Sequence, residues 1–225
     1  MRTSLRIFFV FFLLGGLSSH AQEKGRDTAA VNRLIDQSKQ LNASDSARAI
    51  ELARKAKDLA EEIGYLQGEA YALKNIGMVY YMRGIFGPTL DYWQSSLELF
   101  EAAHDDKGTA NMLNNIGAIY LNQGADDKAL EYSLKSLQLA EKTGDTMRMY
   151  SALTNVGGIY HNKKDPAALP YLLRAVGLVE SGRNNLAYVV ITGNVGEVYF
   201  DDNNLAKALE FYQKSIAAAQ GNSEA

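Results

Sequence analysis

The chain has 225 residues, of which 47% are hydrophobic and 22% charged, with a formal net charge of −3 and no cysteine. The lack of cysteine excludes disulfides, thiolate metal sites and cysteine catalysis. A mildly acidic chain without a dense Lys/Arg run is a poor candidate for binding nucleic acid or an anionic membrane.

The first 21 residues have the pattern of a secretory signal. Arg2 and Arg6 precede an apolar run over residues 7–14. Ser19 and Ala21 are small residues at the positions that a signal peptidase recognises. The run is shorter than the roughly 20 residues that span a bilayer. We therefore predict a signal peptide at 1–21 and an exported chain, periplasmic or secreted; the alternative is an uncleaved N-terminal anchor. No later stretch is predicted to span a membrane.

Two sequence patterns then repeat in phase. The first, Asn-[Ile/Val]-Gly-x-[Ile/Val]-Tyr, begins at Asn75, Asn115, Asn155 and Asn194, in steps of 40, 40 and 39 residues. The second, [Ala/Thr]-Leu-x-[Tyr/Phe], begins at Thr89, Ala129, Ala168 and Ala208. The residue missing from the 39-residue step lies between Tyr160 and Ala168. Repetition at this period is typical of solenoid proteins.

Each repeat is predicted to form two helices. Around Asn115, apolar residues recur at helical spacing until Gly124, and a second apolar stripe runs from Ala129 to Gly144. The glycine of each first pattern is predicted to be a close contact between the two helices. One helix pair cannot bury its apolar face alone, so successive pairs are expected to stack.

These patterns together resemble the tetratricopeptide repeat. The 40-residue spacing resembles the long-helix variety found in kinesin light chains and in peptide-sensing regulators of Gram-positive bacteria, and the signal resembles exported Bacteroidetes-type members. The resemblance implies an all-α, right-handed superhelical solenoid of antiparallel helix pairs. The predicted divisions are a signal peptide (1–21), a degenerate first repeat or cap (22–65), four repeats (66–105, 106–145, 146–184 and 185–220) and a tail (221–225). Pro170 predicts a late or distorted start for the second helix of the third repeat.

No pattern of catalytic or metal-binding residues is found. His104 and His161 lack a partner at metal-ligand spacing. Three aspartate pairs, at 105–106, 126–127 and 201–202, lie at helix junctions, where we expect N-capping rather than acid–base catalysis. The sequence therefore predicts a non-enzyme without a cofactor.

The family resemblance implies that the first helix of each repeat lines a concave groove. Asn75, Asn115, Asn155 and Asn194 would form a row along it, and a carboxamide can pair with a peptide backbone amide. The alternative is that each asparagine bonds a neighbouring helix and keeps the repeats in register. The other groove residues predicted on this basis are Tyr71, Lys74, Tyr81, Asn111, Asn114, His161 and Phe200.

The predicted last helix carries an apolar face formed by Leu205, Leu209, Tyr212 and Ile216. Either a partner covers this face, for example a second copy in a homodimer, or the patch is small and tolerated. Two functional hypotheses remain. The first is a non-catalytic scaffold that binds a peptide or protein segment in the groove. The second is the sensory input region of a larger signalling protein, such as a histidine kinase, nucleotide cyclase or transcriptional regulator.

Overall fold

The computed structural model describes residues 27–181 and 185–221, and almost all of this length is helical. The predicted signal peptide lies outside the described residues. The helices are α1 (27–41), α2 (Ser46–Glu62), α3 (Leu66–Met82), α4 (Phe86–Ala102), α5 (Asp106–Asn122), α6 (Asp126–Thr143), α7 (Thr146–Asn162), α8 (Ala168–Ser181), α9 (Asn185–Asp201) and α10 (Leu205–Gly221). Within the described ranges there is no strand, and none of the helices is long and apolar enough to cross a membrane. The all-α fold class is confirmed.

The chain divides into two compact units. Unit 1, Met1–His104, contains α1 to α4, and unit 2, Asp105–Ala225, contains α5 to α10. In unit 1, α3 packs against both α2 and α4. In unit 2, each helix packs against the next, and α7 also contacts α5 and α9, which are the first helices of the adjacent repeats. Each unit is thus built from stacked helix pairs.

The glycine of each first pattern permits close helix packing, as predicted. A Cβ added at Gly157 would lie 2.6 Å from Cγ of Leu172, and one at Gly196 would lie 2.7 Å from the Tyr212 ring. Gly77 faces Trp93 and Gly117 faces Ser133 in the same way. Trp93 and Ser133 occupy the repeat position of Leu172 and Tyr212. The second helix therefore lies against the bare backbone of the first.

Paired aromatic rings pack about one turn from the glycine contact in each helix pair. The tyrosine that ends the first pattern stacks on the aromatic residue of the second, with ring centroids 5.5–5.7 Å apart. The four pairs are Tyr80–Tyr92, Tyr120–Tyr132, Tyr160–Tyr171 and Tyr199–Phe211. Offset rings at this separation attract beyond their buried area. The recurring tyrosines are therefore packing residues.

A serine in the second helix bonds back to the first. Ser96, Ser136 and Ser215 each donate from Oγ to a backbone carbonyl 26 residues earlier, at 2.8 Å. The third repeat has Ala175 at this position, and the corresponding carbonyl, that of Tyr150, accepts from Thr154 Oγ1 at 2.7 Å. The missing hydroxyl therefore does not leave that carbonyl without a side-chain donor.

Helix α8 begins late, as Pro170 predicted. Helices α4, α6 and α10 begin three residues before the second pattern, whereas α8 begins on it, at Ala168. Pro170 consequently lies in the first helical turn, where its missing N–H would have had no helical partner. The proline is accommodated because the helix starts late.

N-capping explains only one of the three aspartate pairs. Asp105 caps α5, accepting a hydrogen bond from the Gly108 amide at 2.9 Å. The prediction is wrong for the second pair, because Ala125 is the N-cap of α6 and makes no side-chain cap bond. It is wrong for the third pair as well, because Asp201 is the last residue of α9 and contacts His161.

Candidate functional site

The row of asparagines begins with a buried hydrogen bond. Asn75 is 6% exposed, and its Nδ2 donates to the backbone oxygen of Ile35 in α1 at 2.9 Å. Ile35 lies 40 residues earlier, on the first helix of the preceding pair. The Asn75 side chain therefore joins two adjacent repeats, which favours the register interpretation at this position.

Asn155 makes a similar connection in unit 2. Its Nδ2 donates to Oδ1 of Asn114 at 3.1 Å, so that α7 is bonded to α5. This pair is only partly buried, so the remaining amide atoms stay near the surface. Asn115 and Asn194 are half-buried, and their side chains make no hydrogen bond within the described residues. The four asparagines thus differ in what they bond.

Two predicted groove residues of unit 1, Tyr71 and Tyr81, pack against the second helix of their own repeat. The Tyr71 ring meets Phe100 edge-on with centroids 4.8 Å apart, and Lys74 Nζ lies 5.6 Å from the Tyr71 ring centre. Tyr81 packs beside Trp93 at 5.3 Å. All three predicted residues are half-buried, so packing within the unit accounts for part of each side chain.

A groove in unit 2 lies among the first helices α5, α7 and α9 and has a volume of about 400 Å³. We call it the unit 2 groove. It is lined by Asn114, Ala118, Tyr150, Ser151, Thr154, Asn155, Leu186, Ala187, Val190 and Ile191. The structure therefore brings two predicted residues, Asn114 and Asn155, to one surface depression, and the volume falls within the roughly 300–1,000 Å³ of ligand pockets.

The other predicted residues of unit 2 do not line this groove. Asn111 is half-buried, and its enclosed Oδ1 accepts no hydrogen bond from any residue that the structure describes. His161 Nε2 lies 2.8 Å from Asp201 Oδ2, beside a second depression of about 450 Å³ that Lys164 and Asp202 also line. Phe200 is exposed.

Exposed ion pairs connect the helices of unit 2. Within one repeat, Lys142 reaches Asp106 at 2.6 Å, and between neighbouring repeats Lys163 reaches Asp127 at 2.7 Å. The hydrogen bond from Lys163 lowers the pKa of the Asp127 carboxyl and raises the pKa of Lys163. Exposed pairs of this kind are screened by water and add little to stability. They connect helices rather than line the unit 2 groove.

The repeats match a known family along more than half of the chain. The match is to the family described as Tetratricopeptide repeat, over residues 89–142 and 147–221. The chain belongs to the tetratricopeptide repeat family. This match indicates no catalytic family, and the predicted membership is confirmed.

Solved structures share the tetratricopeptide-like fold at low sequence identity. BtubC (BKLC) from P. vanneervenii is 16% identical with a TM-score of 0.65, covering 89% of this chain and 92% of that one. The apo form of RapI is 17% identical with a TM-score of 0.77, covering 86% and 72%. NprR in complex with its cognate peptide NprX is 23% identical with a TM-score of 0.60, covering 77% of this chain and 50% of NprR. No curated protein matches the sequence.

Sequence reasoning missed several residues of the unit 2 groove. Tyr150, Ser151, Leu186 and Val190 line it but were not among the predicted groove residues. A signal for two of them was present in the repeat register. Ser151 and Val190 each lie four residues before a repeat asparagine, one turn along the same helical face, as the predicted residues Tyr71 and Asn111 do.

Proposed function

We propose that this protein is a non-catalytic scaffold that binds a peptide or protein segment in the unit 2 groove. The observation that carries the proposal is the Asn155–Asn114 amide pair on the wall of a groove of ligand-pocket volume. A carboxamide has one acceptor and two donors, so a pair with one mutual bond keeps further capacity for a peptide backbone. NprR, which shares the fold, is described with a bound peptide.

The test uses the fact that the chain has no cysteine. A Ser151→Cys variant places a single thiol in the groove, where a benzophenone maleimide can be attached and activated by light. Ser95→Cys is the matched control, because both serines are surface residues of a helix that bond the carbonyl four residues earlier. Ser95 lies on α4 in unit 1.

We expect the Ser151→Cys variant, incubated with an extract of the producing cells, to cross-link one protein segment that mass spectrometry can locate. Adding Asn114→Ala and Asn155→Ala should abolish that product while circular dichroism shows unchanged helix content. Equal cross-linking from position 95, or a product that survives loss of both amides, would contradict groove binding.

We propose further that the protein is exported. The support is the sequence alone: two arginines, an apolar run and small residues before Gln22. The mass of the protein recovered from producing cells should correspond to a chain that begins at Gln22. A mass that includes residues 1–21 would favour the uncleaved anchor.

We also propose that a second copy covers the apolar face of α10, where Leu205, Leu209 and Ile216 are exposed. Ile216 occupies the repeat position of Leu137 and Val176, which are buried. Light scattering should give twice the chain mass at high concentration, and Leu209→Glu should return it to the single-chain mass. A single-chain mass at all concentrations would reject the homodimer.

A further inference from the structure

Comparing equivalent positions in the four repeats shows which residues the fold requires and which it leaves free to vary. Positions that keep one residue type in every repeat, such as the glycine of the first pattern, are fixed by packing. The position four residues before each repeat asparagine instead carries Tyr71, Asn111, Ser151 and Val190. Because helix pairing tolerates all four residue types there, the fold does not determine the chemistry of this surface.

The unit 2 groove has an uncharged lining. None of the described residues that line it is acidic or basic. The other depressions differ: the one in unit 1 is lined by Lys57, Glu69, Asp91 and Glu98, and the one beside His161 is lined by Lys164 and Asp202. In the unit 1 depression, burial raises the pKa of the Glu69 carboxyl. A charged ligand group would find oppositely charged side chains in those depressions but none among the described residues that line the unit 2 groove.

One wall of this groove exposes aliphatic side chains. Leu186 is 73% exposed and Val190 is 53% exposed, and their spacing of four residues places them on the same face of α9. Met147, at the repeat position of Leu186, is exposed on α7. The preceding repeats carry the polar residues Lys107 and Gln67 at this position. At this repeat position, an exposed apolar side chain is therefore specific to the last two repeats.

We infer that the unit 2 groove selects its peptide by an uncharged aliphatic side chain, Leu, Ile, Val or Met, which packs against Leu186 and Val190. The inference rests on the proposed function and names the class of segment bound. Packing removes apolar area of both partners from water, which favours binding. A charged side chain packed against Leu186 and Val190 would lose hydration without gaining a partner of opposite charge, which disfavours binding.

The test is a selection from a phage library of random nine-residue peptides, with the whole chain as bait. The groove variant carries Leu186→Lys and Val190→Lys. The matched control carries Leu134→Lys and Leu173→Lys, which alter two exposed leucines on α6 and α8 that do not line the groove. Circular dichroism establishes that each variant keeps its helix content.

We expect the selected peptides to share an aliphatic residue at one position. In fluorescence anisotropy, replacing that residue with Asp or Lys should weaken binding by about 30-fold, because apolar contact is lost and a charge is desolvated. The groove variant should weaken binding by a similar factor, and the control should stay within about twofold of the parent chain.

Other outcomes separate the inference from the proposed function. If peptides are selected but require a charged residue, or bind the groove variant as well as the parent, the inference is overturned and groove binding stands. If no peptide is selected, the proposed function and the inference both fall. If no peptide binds and light scattering shows a dimer that the groove variant dissociates, the groove holds a second copy of this chain, which overturns the inference.

Discussion

Helices α8 and α10 carry the same repeat pattern but end in different environments. Val176, eight residues after Ala168, is 9% exposed and packs in a cluster with Ile191 and Val195 of α9. Ile216, eight residues after Ala208, is 57% exposed. The pattern thus gives both helices an apolar stripe, and the first helix of the next repeat decides whether that stripe is buried. The sequence of one repeat specifies an apolar surface, and that surface becomes part of the core only when a neighbouring repeat packs on it.

The largest expected effect comes from placing the same charge at these two equivalent positions. Val176→Asp should lower the free energy of unfolding by at least about 3 kcal/mol, because it buries a carboxylate among aliphatic side chains. At a protein concentration where the chain is a monomer, Ile216→Asp should change it by no more than about 0.5 kcal/mol, as surface substitutions do. Urea unfolding followed by circular dichroism measures both.

The comparison would fail if Ile216→Asp destabilised the protein as strongly as Val176→Asp. A loss that grows with protein concentration would indicate that a second copy covers α10, since the stability of an oligomer depends on concentration.

Two glycines of the third repeat allow the same comparison between a packed position and an unpacked one. Gly157→Ala should destabilise by about 1–3 kcal/mol, because the added methyl would lie 2.6 Å from Leu172 and push α8 away from α7. Gly177→Ala, in the interior of α8 with no atom within 4 Å of the added methyl, should stabilise by about 0.5–1 kcal/mol. Thermal unfolding of the two variants should therefore shift in opposite directions.

The asparagine row allows a comparison between units. Asn75→Ala should cost about 1–2 kcal/mol, because it leaves the buried carbonyl of Ile35 without its side-chain donor. Asn194→Ala removes a half-buried side chain without a hydrogen bond among the described residues and should cost less than about 0.5 kcal/mol. Equal losses in chemical denaturation would mean that Asn194 holds the repeats in register as Asn75 does.

The smallest effect concerns the charged side of α10, opposite its apolar stripe. Hydrogen bonds from Lys207 and Lys214 lower the pKa of Glu210 to about 2. Because this pKa is depressed, the stabilisation is present above the ordinary value of 4.5 and is lost as the pH falls towards 2. In a Lys207→Gln, Lys214→Gln variant, the Glu210 carboxyl should titrate near 4.5 by NMR. An unchanged titration would show that the two lysines do not cause the shift.

Particular residues show how far the sequence could predict this protein. The repeat glycines and the late start of α8 at Pro170 were predicted, because each is a local requirement of a helix or of one helix pair. The roles of the aspartate pairs did not, because Asp201 contacts His161, whose position depends on how repeats stack.

The contacts between groove residues could not be predicted from the sequence either. The sequence placed Asn114 and Asn155 on the correct helices, yet only the stacking of α5 on α7 shows that they bond each other. The sequence does not distinguish Leu186 and Val190 from other apolar helix residues. Only the position of α9 beside α7 shows that they line the groove.

The sequence by itself determined the helices, their pairing and the tetratricopeptide family, because those depend on periodic patterns within about 40 residues. The tertiary structure decided which asparagines are buried, which apolar side chains remain exposed and where an uncharged groove lies. Those properties depend on the distance between side chains in different repeats, which the spacing of residues within one repeat does not specify.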